Sequence, residues 1–226
     1  MGLHVYCVVP AAHPVPDGCT GLNEARPRAL PVDGLALWVT EHDAPVPASI
    51  TAVREHNRVV GAAMTTEVTP VPVRFGQWFP TESAAVTRVR EDAAKWSGLL
   101  ARFAGLAEYG MRVVQREPDT ERDVHTTAAE SGREYMAALA RKQAHAARRR
   151  AEAERIAAFI ERRTDGLVRD RRVEPAPAGQ LLLTVAHLVA WRDADAYHSA
   201  TEGISEALAE AQIVLTGPWP PYSFVE

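Results

Sequence analysis

Eight histidines and two cysteines are the side chains of this sequence best suited to binding a metal or attacking a substrate. None of the histidines stands in an HExxH pattern or at another close metal-ligand spacing. The two cysteines form no CxxC pair, and two thiols alone cannot complete a structural zinc site. The sequence also lacks a GxGxxG turn, a phosphate-binding P-loop and a GxSxG elbow. We therefore predict no metal site, no cofactor and no catalytic residues. The residues are His4, His13, His42, His56, His125, His145, His187, His198, Cys7 and Cys19.

Two histidines and one arginine need a specific interpretation. His187 lies in an apolar segment, which favours a structural role over ligand binding. His56 lies within a predicted helix, where a catalytic role is the alternative to a structural one. Arg74 is predicted in the middle of a strand, and a charge on a half-buried sheet needs a partner. That partner is either a carboxylate of the same chain, Glu67 or Glu82, or a second protein.

Composition excludes several classes of protein. Of the 226 residues, 46% are hydrophobic and 24% are charged, which is typical of a chain with a packed core. The net charge of −4 argues against a general nucleic-acid binder. No stretch approaches the roughly 20 apolar residues of a membrane helix, so a lipid bilayer is not an expected partner. We interpret the apolar N-terminus as a strand and not a signal peptide, and we expect a cytoplasmic protein.

The first 117 residues alternate between strand and helix patterns. Residues 10–31 are rich in proline, glycine and alanine, which predicts an irregular connection. Ser49 and Thr81 are suitable N-caps for two helices, the second running through Phe103. Because two helices on one face of a four-stranded sheet is an economical packing, we predict a variant of the ferredoxin-like fold with an antiparallel sheet. Its strands are predicted at residues 3–9, 35–41, 68–76 and 106–117.

The remainder of the chain predicts a second α+β domain. Residues 118–132 are polar and are interpreted as a linker. Residues 133–226 then contain a long helix to about residue 163, an exposed strand, a buried strand, a helix capped by Asp193 and a short strand at 213–216. We therefore predict two α+β domains, the second with a long helix, a small antiparallel sheet and an aromatic, proline-rich tail.

That tail is unusually apolar and stiff for a chain terminus. Pro218, Pro220 and Pro221 restrict the backbone to extended geometry. Each large aromatic side chain buries about 150–250 Å² when it is packed, so leaving all of them exposed would favour aggregation. The tail is therefore expected either to lie across its own domain or between the domains, or to offer part of its surface to another protein. Its aromatic residues are Trp219, Tyr222 and Phe224.

Four short motifs resemble the gas vesicle protein F/L family (GvpF/GvpL). They are GPWPPYSF at 217–224, PVRFG at 72–76, HNRVV at 56–60, and GREYM with RKQ at 132–136 and 141–143. Their order and approximate spacing match the family and cover almost the whole chain. Gln77 follows RFG where the family commonly has threonine, and residues 10–31 are particular to this chain, so the choice between the F and L branches stays open.

The resemblance implies a non-enzymatic accessory protein for gas vesicle assembly, either cytoplasmic or associated with the vesicle. Its partners would be the small hydrophobic shell protein and other accessory proteins. The motif residues expected to act in partner binding or in structure are Arg74, Phe75, Gly76, Trp219, Pro220, Pro221, Tyr222 and Phe224.

The sequence leaves two other functions open. A small-molecule-binding or enzymatic protein with a ferredoxin-like domain would need a deep pocket lined by Arg74, His56 and a carboxylate. A structural component of the vesicle shell is the third possibility.

Overall fold

The computed structural model describes residues 1–116 and 132–225. The chain forms two compact units, which we call unit 1 (Met1–Glu108 with Pro218–Glu226) and unit 2 (Tyr109–Gly217). This division differs from the predicted domains in two places. Unit 1 ends nine residues before the predicted boundary at 117, and it includes the tail that was assigned to the second domain. Of the predicted linker, only residue 132 is among the described residues.

Unit 1 contains an antiparallel sheet in the order β2-β3-β1-β4, in which the short β5 also pairs with β1. The central strand β1 is buried along almost its whole length, which explains why its sequence is mainly apolar, with His4 as a polar exception. Of the predicted third strand, 68–76, only β4 at 71–72 forms, and β5 follows at 78–79; the two pair with different parts of β1. The strands are β1 (Gly2–Pro10), β2 (Arg28–Val32), β3 (Leu35–His42), β4 (Val71–Pro72) and β5 (Trp78–Phe79).

Strands β2 and β3 form a hairpin that the sequence analysis missed. The prediction of an irregular connection up to residue 31 was wrong, because β2 occupies residues 28–32. The turn consists of Asp33 and Gly34, which have φ values of 47° and 87°. Two positive φ angles are typical of a type I′ turn, for which Asp-Gly is a preferred pair. The dipeptide was therefore a local signal for this hairpin.

The helices of unit 1 begin where the predicted N-caps lie. Helix α1 (Ile50–Ala62) follows Ser49, whose Oγ accepts a hydrogen bond from Ala52 N at 3.0 Å. Helix α2 (Glu82–Glu91) follows Thr81, whose Oγ1 accepts one from Ala84 N at 3.1 Å. The single helix predicted from Thr81 to Phe103 is two helices, however. Asp92 has φ −110° and ψ 17°, which interrupts the helical backbone before α3 (Ala93–Phe103).

Unit 2 has the order of elements found in the ferredoxin-like fold. Its sequence is strand, helix, two strands, helix and strand, and its sheet order is β7-β8-β6-β9. The structure confirms an α+β protein with two antiparallel sheets and a long helix. The ferredoxin-like arrangement belongs to unit 2 because β6 lies between β8 and β9, whereas it was predicted in the first sheet. The elements are β6 (Leu106–Gln115), α4 (Gly132–Arg163), β7 (Val168–Pro175), β8 (Leu181–Ala190), α5 (Ala194–Ala207) and β9 (Ala211–Trp219).

The core of unit 2 joins the two helices to the sheet. Tyr197 and Ile204 of α5 are fully buried and, seven residues apart, lie on one face of this helix. In α4 the buried apolar residues are Ala153, Ile156 and Ile160, which are spaced by three and four positions. The packed face of α4 is therefore confined to its C-terminal half.

Candidate functional site

A loop between β4 and β5 carries the RFG motif, and its two ends are fixed to the central strand of unit 1. At one end Val73 N donates to Tyr6 O at 2.9 Å, and at the other Val5 N donates to Gln77 O at 3.0 Å. Between them, Gly76 has a φ of +95°. This backbone conformation strongly favours glycine, so the loop geometry explains the residue type.

Arg74 and Phe75, two consecutive residues of this loop, have different environments. Arg74 is exposed and lies outside the strands, so its predicted position in the middle of a strand was wrong. Glu82, one of the two carboxylates predicted as its partner, forms an ion pair with Arg28 at 2.7 Å. Phe75 is half-buried and packs against the core of unit 1. The aromatic ring of Phe75 therefore anchors the loop, and Arg74 lies on its exposed side.

Two buried histidines lie directly beneath Phe75. His4 Nε2 and His56 Nδ1 are 2.9 Å apart, and His56 Nε2 is 2.8 Å from Val73 O. A carbonyl can only accept, so His56 Nε2 carries the proton and its Nδ1 accepts from His4 Nε2–H. The Phe75 ring centroid is 5.4 Å from that of His4 and 5.7 Å from that of His56. The carbonyl of one loop residue therefore fixes the tautomers of both histidines.

Burial keeps both histidines neutral. It lowers the pKa of His4 to about 3, with a further contribution from the positive charge that His56 and His42 would carry. It lowers the pKa of His56 to about 4, and the hydrogen bond to the Val73 carbonyl opposes this shift. A neutral pair whose hydrogen bonds hold a loop to the core is a structural arrangement, and the catalytic alternative for His56 gains no support from it.

Tyr6 contacts this histidine pair through its ring and forms a second set of hydrogen bonds through its hydroxyl. The Tyr6 ring stacks on His56 with a centroid distance of 5.2 Å. Its hydroxyl accepts from Leu22 N and lies 2.9 Å from Thr40 Oγ1, which in turn lies 2.8 Å from His42 Nε2. Such networks of satisfied polar groups stabilise one specific packing arrangement.

The C-terminal tail belongs to the same unit. Tyr222 OH donates to Asn57 Oδ1 at 2.8 Å. Ser223 donates twice to the Glu108 carboxylate, from its backbone N at 2.9 Å and from its Oγ at 2.6 Å. Burial raises the pKa of Glu108, and the two hydrogen bonds from Ser223 oppose this rise. The tail therefore contains a short 3₁₀ turn (Tyr222–Phe224) that is hydrogen-bonded to Asn57 of α1 and to Glu108, two residues of unit 1.

The aromatic residues of the tail have different environments. Pro220, Pro221 and Phe224 are buried, and Phe224 has no exposed surface. Tyr222 is half-buried against the main core cluster of the unit. Trp219, in contrast, remains 50% exposed. The tail lies across unit 1, not across the second domain to which it was assigned, and only Trp219 presents a large aromatic surface to solvent.

Helix α1 connects the loop to the tail through two consecutive residues. His56 points into the core and holds the Val73 carbonyl, while Asn57 accepts the hydrogen bond from Tyr222. Three of the four motifs singled out in the sequence are thus joined by two hydrogen bonds. Sequence reasoning found these motifs separately, but only the fold shows that they form one assembly, which we call the loop–tail site (residues 56–57, 73–77 and 219–224).

A second group of titratable side chains, which includes His187, lies in unit 2. An open cleft of about 260 Å³ in unit 2 is lined by charged residues such as Glu161 and Arg171 and by the buried His187. Arg171 and Glu161 form an ion pair, and His187 Nδ1 is 3.0 Å from Tyr197 OH. Burial and the nearby Arg171 charge lower the pKa of His187 to about 4. This cleft does not contain Arg74 or His56, the residues that the enzymatic alternative required.

Residues 1–116 and 132–225 contain neither a metal-type cluster of side chains nor a helix that could span a membrane. In these ranges no cluster of three or more histidine, cysteine, aspartate or glutamate side chains has the arrangement of a metal site. In the same ranges, no helix combines the length and the apolar composition needed to cross a membrane. Cys7 and Cys19 are free thiols, and burial raises the pKa of both.

The fold and the loop–tail site define a class of two-unit α+β proteins whose C-terminal tail completes the first unit. Two solved structures share this fold across the whole chain. They are the crystal structures of the gas vesicle protein GvpF from Anabaena sp. PCC7120, with a TM-score of 0.81, and from Microcystis aeruginosa, with a TM-score of 0.77. Each is 19% identical in sequence; this chain is covered completely, and the two structures are covered to 98% and 99%.

Sequence comparison gives the family. The family described as "Gas vesicle synthesis protein GvpL/GvpF" matches residues 2–226. Gas vesicle protein L of Streptomyces sp. (strain CB03234) is 28% identical, with 98% of this chain and 91% of the relative covered. Gas vesicle protein F of the same strain is 25% identical over the full length of both chains. The chain belongs to the GvpL/GvpF family of gas vesicle synthesis proteins.

Proposed function

We propose that this protein is an accessory factor of gas vesicle assembly that binds the small hydrophobic shell protein through the loop–tail site. Membership of the gas vesicle synthesis family supports a role in this process. The protein would act in the cytoplasm and at the vesicle, without catalysis, and would also bind other accessory proteins. An apolar shell subunit needs a temporary cover before it is assembled, because exposed apolar surface drives aggregation.

The observation that carries the proposal is the exposure of Trp219 beside an anchored tail. Pro220, Pro221 and Phe224, which follow it in the chain, are buried, so the backbone next to Trp219 is anchored to unit 1. A fixed aromatic side chain loses little conformational entropy when a partner covers it. Tryptophan is also among the residues that contribute most to protein–protein interfaces. Trp219 is therefore the best placed residue of the site for contact with an apolar partner.

A pull-down with purified shell protein tests the proposal. We expect Trp219→Ala to reduce shell-protein binding at least tenfold, the range expected for a central aromatic contact. Its melting temperature should fall less than after replacement of a fully buried aromatic residue, because half of the side chain is already exposed. Ile50→Ala is the matched control, since Ile50 is a large apolar residue of the same unit with 74% exposure. Equal shell-protein capture by the wild type and Trp219→Ala would refute the assignment of the contact to this site.

The broader proposal has its own test in the cell. Deletion of the gene is expected to lower the yield of gas vesicles, and complementation with Trp219→Ala should restore it only in part. Counting the copies of the protein on purified vesicles separates an assembly factor, present in small numbers, from a structural shell component. Unchanged vesicle yield after deletion, together with no enrichment in the pull-down, would remove the basis for an assembly role.

A further inference from the structure

The two halves of helix α4 differ in what they contact. The C-terminal half packs into unit 2 through Ala153, Ile156 and Ile160. Between residues 133 and 148 no described side chain is buried. This N-terminal half, which we call the α4 extension (residues 133–148), is about 24 Å long at the standard rise per residue. Helices in proteins gain most of their stability from packing an apolar face, so a partner that covers this surface would stabilise the extension.

Large apolar side chains are concentrated on the α4 extension. Among the described residues, nine large apolar side chains are markedly exposed, and three of them lie within five consecutive positions of this segment. Tyr135 is 56% exposed, Met136 61% and Leu139 37%. Tyr135 and Leu139 are four residues apart and so share one helix face, with Met136 beside them. Tyrosine and methionine are enriched in the buried centres of protein interfaces.

Basic residues surround this apolar stripe. Arg133 lies one turn before Met136, and Lys142 lies one turn after Leu139; both side chains are exposed. The extension contains four arginine or lysine residues and one glutamate, a net charge of +3 in a chain whose net charge is −4. The local charge is therefore opposite in sign to that of the whole protein. Such a surface is complementary to an acidic partner.

We propose that the α4 extension is a docking surface for an acidic amphipathic helix of another protein. The apolar stripe would pack against the apolar face of that helix, and Arg133 and Lys142 would pair with carboxylates on its two sides. A helix offers no free backbone donors in its middle, so recognition here depends on side chains. This surface is in unit 2, and its use does not depend on the shell-protein contact proposed for unit 1.

Two other occupants fit the surface less well. A second copy of the chain would place the same positive charges against each other in a symmetric pair, which is unfavourable. A nucleic acid would pair with the basic side chains but would leave the stripe of Tyr135, Met136 and Leu139 without an apolar partner. The combination of apolar centre and basic flanks therefore favours an acidic helix.

Fluorescence anisotropy with a designed helical peptide tests this proposal. The probe is a labelled peptide of about 20 residues with leucine at the a and d positions and glutamate at the flanking positions of each heptad. We expect saturable binding that weakens with added salt, and about tenfold weaker binding for both Tyr135→Ala/Leu139→Ala and Arg133→Glu/Lys142→Glu. Circular dichroism and melting temperatures should show that all variants remain folded, because the replaced side chains are exposed.

Matched controls distinguish this site from general electrostatic attraction. Arg54→Glu/Lys95→Glu changes the net charge by the same amount at exposed residues of unit 1 and should bind the peptide within about twofold of the wild type. A peptide with lysine in place of glutamate should not bind. The Trp219→Ala variant should bind the acidic peptide with wild-type affinity, and the α4 variants should still capture the shell protein. The experiments therefore distinguish failure of this inference from failure of the proposed function.

Three results would overturn the inference. The first is equal affinity of the acidic peptide for the wild type and both α4 variants. The second is tighter binding of a single-stranded oligonucleotide than of the acidic peptide, with loss only in the charge variant, which would assign the surface to nucleic acid. The third is a dimer in sedimentation equilibrium that Tyr135→Ala/Leu139→Ala dissociates, which would assign it to a second copy of the chain.

Discussion

Phe224→Ala should strongly destabilise unit 1, although the residue is only two positions from the end of the sequence. Phe224 has no exposed surface, and the turn that carries it is fixed by the hydrogen bonds of Tyr222 and Ser223. Replacing a fully buried phenylalanine by alanine costs about 3–5 kcal/mol. At about 2–4 °C per kcal/mol for a chain of this size, the melting temperature of the affected transition should fall by about 6–20 °C.

Intrinsic tryptophan fluorescence is a suitable assay for this prediction. Four of the five tryptophans lie in unit 1, and only Trp191 lies in unit 2. The fluorescence signal therefore reports mainly on the unit that contains the tail. Thermal and urea-induced unfolding of Phe224→Ala, Trp219→Ala and the wild type should be compared in this way, with far-UV circular dichroism as a global probe.

The comparison between the two tail residues decides whether the reasoning holds. Trp219 is the larger side chain, but it is 50% exposed, so Trp219→Ala should cost much less than Phe224→Ala. A melting temperature of Phe224→Ala within about 1 °C of the wild type would show that the tail does not contribute to the core. Greater destabilisation by Trp219→Ala than by Phe224→Ala would show that the assignment of anchor and exposed residue is reversed.

Three further predictions concern the loop–tail site. Gly76→Ala should destabilise unit 1 by about 1–2 kcal/mol in urea unfolding because its φ is +95°, whereas Gly98→Ala, in open space on a helix, should be neutral or stabilising. The pKa of His56 is lowered to about 4, so the contribution of neutral His56 to the free energy of unfolding is complete above about pH 6.5 and is lost as the pH falls towards 4. The loss should be about 2 kcal/mol at pH 5. The free energy of unfolding of His56→Gln should therefore depend less on pH than that of the wild type, and an equal dependence would contradict the assignment. Tyr222→Phe removes the hydrogen bond to Asn57 and should lower the free energy of unfolding by about 0.5–1.5 kcal/mol in the same assay. If the double variant Tyr222→Phe/Asn57→Ala is as stable as Tyr222→Phe, the two side chains act together.

Local features of the fold could be predicted because their causes are local. Ser49 and Thr81 begin helices since their side-chain oxygens bond to backbone amides three residues later, and no distant residue is involved. The helix interruption at Asp92 and the hairpin turn at Asp33 and Gly34 also have local causes, but both were missed. The apolar periodicity continues across Asp92, and a proline-rich sequence precedes the hairpin.

The partners of strands and histidines could not be predicted in the same way. Strand β6 has a sequence that is compatible with either sheet, and its pairing with β8 and β9 moves the ferredoxin-like arrangement to unit 2. His4 and His56 are 52 positions apart, and nothing in their immediate neighbours indicates that they share a hydrogen bond. Pairing between distant residues depends on the whole fold, because strand propensity does not specify which edge a strand will join.

The sequence by itself determined the α+β composition, the helix starts after Ser49 and Thr81, the stiffness of the tail and the motifs that resemble the gas vesicle family. Those properties arise from residue types and short spacings. The tertiary structure alone decided that the tail returns to the first unit, that Phe224 is buried while Trp219 is exposed, and that α1 joins the RFG loop to the tail. The physical reason is that burial and hydrogen bonding between residues far apart in the chain depend on which surfaces meet, and a single sequence records only which surfaces are available.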